Sequence, residues 1–248
     1  MPKKPFLDWP APIAFAHRGG AGDWPENTMP AFQGAISLGY RYLETDVHVT
    51  SDGVLLAFHD DHLDRVTDRV GAICDLPHRE VKEARVDGRE PIPLFEDIMG
   101  TWPDVRVNID PKHDGAVDAL AEAIKRTNSA DRVCIGAFSD KRLARLRGLV
   151  GPRLCTSCGP KAVARLLHGS NASFAEDCAQ VPSHRGKVVL VNERFVRLAH
   201  DRRLAVHVWT IDDPDEMHRL LDLGVDGIMT DRPSVLKDVL RSRDQWHE

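Results

Sequence analysis

The sequence predicts a single (β/α)8 barrel, known as a TIM barrel, with a small insertion after the second strand. Short apolar runs alternate with segments of helical periodicity along all 248 residues, which is typical of a parallel sheet with crossover helices. Eight such strand–helix units within one chain favour a closed barrel. An open dinucleotide-binding sheet is the alternative, but residues 19–22 read Gly-Gly-Ala-Gly, and its G-x-G-x-x-G fingerprint is absent.

The first half of the chain contains three predicted barrel strands and one added hairpin strand. The helix over 28–38 has apolar residues at helical spacing and ends at Gly39. The Asp52-Gly53 turn predicts that 54–58 pairs back onto the second strand. Residues 59–90 are polar and irregular, so we predict an insertion over one end of the fold. The predicted strands are 13–16, 42–49 and 105–110, and the helices are 28–38, 93–102 and 116–126.

The second half repeats the alternation with less variation. Apolar runs rich in β-branched residues mark the strands, and apolar residues three or four apart mark the helices. The predicted strands are 132–135, 153–156, 172–181, 205–209 and 225–229, and the helices are 141–149, 160–167, 192–200, 214–223 and 233–240. We therefore expect residues 1–248 to form one domain.

Composition excludes several classes of protein. The formal charge of −5 and the pI near 6.2 give no basic surface for nucleic acid. The first 15 residues lack a signal-peptide core, and no apolar stretch approaches the roughly 20 residues that span a bilayer. We expect a cytoplasmic protein without stable membrane insertion. Five scattered cysteines suit free thiols in a reducing compartment. Cys155 and Cys158 have C-x-x-C spacing, but a structural zinc site needs two further ligands.

Reactive side chains stand at the carboxyl ends of the predicted strands, where the active sites of such barrels lie. This coincidence is stronger evidence for an active site than any single residue. The residues are His17 and Arg18 after the first strand, Glu44 and Asp46 in the second, Asp110 and Lys112 after the third, and Trp209 after the seventh.

Glu44 and Asp46 are two positions apart in an extended segment, so both side chains point to one face. Two carboxylates in a confined space repel each other unless a cation lies between them. Oxygen ligands suit Mg²⁺ or Ca²⁺, and Asp110 is a candidate third ligand. The alternative is that these carboxylates face solvent or pair with Arg41 or Arg106. His48 shares their face, but we expect it at the hairpin tip and on the surface.

Five short motifs follow one another in the first 60 residues. They are His-Arg-Gly at 17–19, Glu-Asn-Thr at 26–28, Glu-x-Asp at 44–46, Ser-Asp-Gly at 51–53 and His-Asp at 59–60. In order and spacing they resemble the N-terminal signature of the glycerophosphodiester phosphodiesterase family. Segments 91–98, 108–112, 207–210 and 224–233 resemble later motifs of the family. The resemblance thus covers almost the whole chain.

The resemblance implies a TIM barrel that cleaves small glycerophosphodiesters to sn-glycerol 3-phosphate and an alcohol. It implies one divalent cation, Mg²⁺ or Ca²⁺, held by Glu44, Asp46 and Asp110. The third ligand is commonly Glu in this family, and Asp110 is one methylene shorter. It also implies catalytic roles for His17 and His59, phosphate contacts from Arg18 and Lys112, and either a substrate contact or a core position for Trp209.

Two histidines can divide the general acid and general base roles that phosphodiester cleavage requires near neutral pH. Glu26 and Asn27 open the first helix, where they either cap it, with Asn27 bracing the His17 loop, or contact the ligand. A second hypothesis is a lysophospholipase D or sphingomyelinase-D-like enzyme with the same site. It needs a lipid-facing surface, and residues 59–90 are not apolar enough to provide one. A third is an inactive barrel that binds phosphorylated ligands, which two histidines beside a metal site disfavour.

Overall fold

Eight parallel strands form a closed barrel in the computed structural model, which describes residues 4–169 and 173–247. The spatial order is β5-β4-β3-β2-β1-β8-β7-β6, and a parallel bridge between Ser157 and Cys178 closes the ring between β5 and β6. The predicted fold class is therefore confirmed. The strands are β1 Ile13–Ala16, β2 Tyr42–Val49, β3 Arg106–Pro111, β4 Val133–Ile135, β5 Cys155–Thr156, β6 Cys178–Pro182, β7 Ala205–Trp209 and β8 Gly227–Thr230.

One helix packs on the outside of the barrel after each strand. Side-chain caps begin several of them; for example, the hydroxyl of Thr28 accepts a hydrogen bond from the Ala31 amide. The helices are Met29–Ser37, Phe95–Thr101, Ala116–Arg126, Asp140–Val150, Pro160–Leu167, Glu193–His200, Pro214–Asp222 and Pro233–Ser242, and a shorter one is His78–Val81. Among the described residues, none of these helices is long and apolar enough to cross a bilayer.

Most predicted bounds differ from the observed ones by one or two residues. The largest difference is β6, which begins at Cys178, whereas the prediction began at 172. Position 172 lies outside the described residues, as do the predicted domain limits at 1 and 248. A hairpin after β6, in which His184–Arg185 pairs with Val188–Val189, was not predicted.

The segment after β2 folds around an apolar cluster of its own. Leu55–Ala57 pairs antiparallel with β2, as the Asp-Gly turn predicts. Two 3-10 turns, a short helix and a small hairpin of Arg85–Val86 with Glu90–Pro91 follow. The cluster contains Leu56, Phe58, Leu63, Ile73, Val81, Ala84, Val86 and Ile92. Widely spaced apolar residues are thus buried together under a polar surface.

The interior of the barrel is filled at its amino end, which leaves the carboxyl end for a cavity. Phe6 is fully buried, and its carbonyl oxygen accepts a hydrogen bond from the Tyr42 hydroxyl at 2.6 Å. Phe15 packs edge-on against Tyr42, with ring centroids 5.1 Å apart. The N-terminal segment therefore closes the bottom of the barrel.

Candidate active site

All eight residues predicted for the site line one cavity of about 620 Å³ at the carboxyl ends of the strands. The two histidines, the three carboxylates and both cationic side chains share one part of the lining. The eight residues are His17, Arg18, Glu44, Asp46, His59, Asp110, Lys112 and Trp209. Their location is an observation, whereas their individual roles stay predictions.

A tight turn after β1 presents the first two of these residues. Arg18 has a left-handed φ of +50° and Gly19 a φ of +81°. A Cβ atom at position 19 would lie 2.8 Å from the Cβ of Ala31, so only glycine fits against the first helix. Left-handed geometry at a non-glycine residue such as Arg18 is typical of functional sites.

His17 is held between two carboxylates. Its Nδ1 lies 2.6 Å from Oδ1 of Asp231, which follows β8, and its Nε2 lies 3.7 Å from Oε2 of Glu44. Burial alone would lower the pKa of His17, but Glu44 and Asp231 outweigh it, and the net shift is upward. Asp231 therefore orients the ring and leaves Nε2 toward the site.

His59, like His17, has an aspartate as the hydrogen-bond partner of its Nδ1 atom. Its Nδ1 lies 2.5 Å from Oδ1 of Asp60. Arg65 donates hydrogen bonds to Asp60 and to Glu26, and Arg18 donates to Glu26 at 3.2 Å. Arg65 lowers the pKa of Asp60 to about 2. A chain of charged hydrogen bonds therefore joins the two sides of the cavity and keeps Asp60 ionised.

Glu44 and Asp46 are almost fully buried, with 5% and 2% of their surfaces exposed. Burial and repulsion by Asp46 raise the pKa of Glu44 to about 7. Burial would likewise raise the pKa of Asp46, but Lys112 and Arg18 outweigh it and lower this pKa. The pKa values of these two neighbouring carboxylates are thus shifted in opposite directions, because Lys112 and Arg18 contact mainly Asp46.

The parallel register brings the third carboxylate to the same place. Asp46 is paired with Asp110 across β2 and β3. The Lys112 Nζ atom lies 2.8 Å from Oδ1 of Asp46 and 3.1 Å from Oδ2 of Asp110. Burial raises the pKa of Asp110 despite this lysine. The ammonium group therefore bridges two of the three predicted ligands.

The alternative prediction, in which these carboxylates face solvent or pair with Arg41 or Arg106, is wrong. Arg106 lies over the rings of Trp9 and Tyr42, and its guanidinium donates to the Asp8 carbonyl. Glu44 and Asp46 face the cavity instead of solvent. Oxygen donors whose burial and mutual repulsion raise the pKa of Glu44 to about 7 fit a hard divalent cation.

Two expectations about neighbouring residues are corrected, and a third is confirmed. His48 is not at the surface: it is 1% exposed, and its Nε2 lies 3.0 Å from the His59 carbonyl oxygen. Neither Glu26 nor Asn27 caps the first helix, since Thr28 does. Asn27 does brace the His17 loop, because its backbone amide donates to the Arg18 carbonyl at 2.9 Å. Its side chain also accepts from the Thr45 hydroxyl at 2.8 Å and donates to Asp46 at 3.3 Å.

The far wall of the cavity is apolar. Trp209 packs edge-on against Phe138, with ring centroids 5.7 Å apart, and Phe138 is 71% exposed. Val163, Leu167 and Leu190 continue this surface. Trp209 was predicted from the sequence, whereas the four other apolar residues of this wall, and Asp231, Asp60 and Arg65, were not. Asp231 could have been predicted as a site residue, because it directly follows a strand, as His17 does.

Residues 17–235 match the glycerophosphoryl diester phosphodiesterase family. The chain belongs to this family. It is 41% identical over 255 residues to "Probable glycerophosphodiester phosphodiesterase 2" of Mycobacterium tuberculosis, covering 99% of this chain and 97% of the relative. The match places the whole signature, from His17 to the segment after β8, within the family region, and the chain is a glycerophosphodiester phosphodiesterase.

Solved structures of the family share the fold. A phosphodiesterase from Oleispira antarctica, in complex with the product sn-glycerol-3-phosphate, superposes with a TM-score of 0.79 at 21% identity, covering 93% of this chain and 97% of that chain. A glycerophosphodiester phosphodiesterase from Parabacteroides distasonis gives 0.78 at 23% identity, covering 96% and 100%. At these identities the likeness supports the barrel fold alone.

Proposed function

We propose that this enzyme hydrolyses glycerophosphodiesters to sn-glycerol 3-phosphate and an alcohol by His17/His59 acid–base catalysis with one divalent cation, Mg²⁺ or Ca²⁺. One observation carries the proposal: two histidines, each paired with its own aspartate, face a cavity that is also lined by three carboxylates and by Arg18 and Lys112. The five free thiols support a reducing, cytoplasmic compartment.

The charged residues have separate tasks in this scheme. Glu44, Asp46 and Asp110 would hold the cation, which when bound stabilises the negative charge that grows on the phosphoryl oxygens. Arg18 offers a planar guanidinium and Lys112 a compact ammonium to the same oxygens. Asn27 and Glu26 hold Asp46 and Arg18 in place through hydrogen bonds.

The histidines would transfer the protons. When Nδ1 of His17 donates to Asp231, its Nε2 is left free to accept or release a proton at the reacting oxygens. Asp60 has the same effect on His59. One histidine activates the attacking hydroxyl and the other protonates the leaving alkoxide, which is otherwise a poor leaving group.

Removal of the cation should abolish the activity. We expect purified protein with Mg²⁺ or Ca²⁺ to release glycerol 3-phosphate from glycerophosphocholine, and EDTA to stop this release because three carboxylates would then repel one another and the substrate. A coupled assay of glycerol 3-phosphate with a metal add-back measures both effects. Full turnover in EDTA would refute the cation requirement.

The apolar wall supports a second candidate function, hydrolysis of lysophospholipids as a lysophospholipase D. This function needs a lipid-facing surface, which residues 59–90 are not apolar enough to provide. Phe138, Trp209 and Leu190, on the apolar wall of the cavity, are candidates for such a surface. An acyl chain could lie against these side chains and gain free energy from the apolar area buried.

A substrate panel separates the two candidates. We expect glycerophosphocholine to be preferred over lysophosphatidylcholine, because the charged part of the site needs only a glycerophosphate. Phe138→Ala should lower kcat/KM for lysophosphatidylcholine by roughly 10-fold more than for glycerophosphocholine. Val70→Ala, which removes another exposed apolar side chain outside the cavity, is the control. Preferred release of choline from the lysophospholipid would favour the second candidate.

A further inference from the structure

Three cysteines from three neighbouring strands meet inside the barrel, away from the active-site carboxylates. Cys134 of β4, Cys155 of β5 and Cys178 of β6 are all 0% exposed. Their sulfur atoms lie within 4.8 Å of one another, and the Cys134 and Cys178 sulfurs are 3.8 Å apart. Cys134 and Cys155 are also partners in the strand register. The barrel therefore gathers three thiols that are far apart in sequence.

The spacing of the sulfurs suits a metal ion. Zinc binds thiolate at about 2.3 Å, so two sulfurs of a tetrahedral site are about 3.8 Å apart, close to the observed Cys134–Cys178 separation. A disulfide needs the sulfurs at about 2.05 Å, and all three residues are free thiols. A thiolate is the form that binds metal.

A buried histidine lies next to Cys178, although its nitrogens are outside the group of atoms that lie within 4.8 Å of one another. His207 is 0% exposed and interacts with Cys178. It stands two residues after Ala205, the register partner of Cys178, so both side chains face the interior. Its Nδ1 lies 3.3 Å from the Gln180 amide, whereas its Nε2 has no hydrogen-bond partner among residues 4–169 and 173–247. A buried nitrogen without a partner is costly, and a metal would satisfy it.

We propose that Cys134, Cys155 and Cys178 form a second metal site that binds a thiophilic cation such as Zn²⁺ through three thiolates, and that the His207 imidazole turns toward the bound ion as the fourth donor. The soft sulfur ligands distinguish this structural site from the oxygen ligands proposed for the catalytic cation. Binding forms three metal–sulfur bonds and releases the thiol protons to solvent, and it needs no oxidant.

Buried side chains separate the three sulfurs from solvent on both sides. Phe6 seals the interior from the amino end, and the Gln180 amide lies 4.0 Å from the Cys134 sulfur on the cavity side. A cation would therefore enter while the chain folds and would exchange slowly afterwards. Of the two cysteines with C-x-x-C spacing, only Cys155 belongs to the cluster. Cys158 is buried but lies outside it, and the other two sulfurs come from β4 and β6.

Cobalt is a suitable probe, because thiolate ligands give Co²⁺ intense charge-transfer absorption that oxygen ligands do not. We would unfold the full-length protein in reductant and chelator, refold it with one equivalent of Co²⁺ or Zn²⁺, and then pass it through EDTA. We expect about one Co²⁺ per chain to stay bound with the thiolate absorption, and Zn²⁺ to displace it. A mercurial reagent that caps thiols should release the metal.

The controls use the other cysteines. Cys134→Ala and Cys178→Ala should lose the metal and its absorption, whereas Cys158→Ala and Cys74→Ala should keep both. Glycerophosphodiesterase activity with added Mg²⁺ verifies folding, and the absorption itself does not depend on that activity. Wild-type protein without the thiolate absorption overturns the proposal, whether or not the alanine variants fold. Unchanged metal retention in folded Cys134→Ala and Cys178→Ala overturns it as well.

Discussion

Replacing His17 with alanine should lower kcat for glycerophosphocholine hydrolysis by about 10²- to 10⁴-fold, the usual worth of a positioned acid or base. Nε2 of His17 is the ring atom on the site side, since Nδ1 is bonded to Asp231. The variant leaves the cation ligands and Arg18 in place. Substrate affinity should therefore change much less than kcat, which a full kinetic comparison at saturating metal would show.

A graded series of variants separates proton transfer from positioning. Asp231→Asn should cost about 10-fold, because it removes an orienting charge but keeps the imidazole. His59→Ala should resemble His17→Ala, with a loss of roughly 10² or more. His62→Ala alters an exposed histidine that does not line the cavity, and it should leave kcat unchanged. Near-normal turnover in either His17→Ala or His59→Ala would remove that residue from the mechanism.

Strand and helix positions were predictable because the barrel repeats one simple pattern. Residues 42–49 were placed correctly, since alternation and the Asp52-Gly53 turn point to the same hairpin. The hairpin of His184–Arg185 with Val188–Val189 was missed because polar residues and exposed valines give no buried face. Segment 59–90 was read as a polar insertion, and its apolar cluster was not foreseen because its members are widely spaced.

The sequence indicated the first half of the site better than the second. His17, Glu44 and His59 belong to motifs at successive strand ends, so local reasoning brought them together. Asp231 contacts His17 only because closure of the barrel places β8 beside β1. The three clustered cysteines depend on the same kind of information, since each comes from a different strand–helix unit. Contacts between distant segments depend on closure and register, which spacing along the chain does not reveal.

The two buried carboxylates of β2 should affect folding in opposite directions. Asp46 contacts Lys112 and lies near Arg18, so Asp46→Asn leaves two cations with less compensation. Breaking a buried ion pair in this way should cost roughly 3 kcal/mol of unfolding free energy. Glu44 has its pKa raised to about 7 by burial and by Asp46, so its ionised form opposes folding. Glu44→Gln should therefore stabilise the protein freed of divalent cations.

The pH dependence of stability tests this difference. The pKa of Glu44 is raised from its ordinary value of 4.5 to about 7, so the folded state holds a proton that the unfolded chain releases. Glu44 should therefore lower the stability of the protein in EDTA as pH rises from 4.5 to about 7. Glu44→Gln should lack this loss of stability. Its unfolding free energy, measured with urea at pH 8, should exceed that of wild type by roughly 1–3 kcal/mol. Both Glu44→Gln and Asp46→Asn should lose activity.

The matched control is Asp61→Asn, because 76% of the Asp61 side chain is exposed and its charge should matter little. Saturating Mg²⁺ or Ca²⁺ should reverse the order of the wild type and Glu44→Gln, since a bound cation turns the repulsion between Glu44 and Asp46 into affinity. If Glu44→Gln is less stable than wild type in EDTA at pH 8, repulsion is not the dominant effect at this position. If divalent cations stabilise both proteins equally, Glu44 is not a ligand.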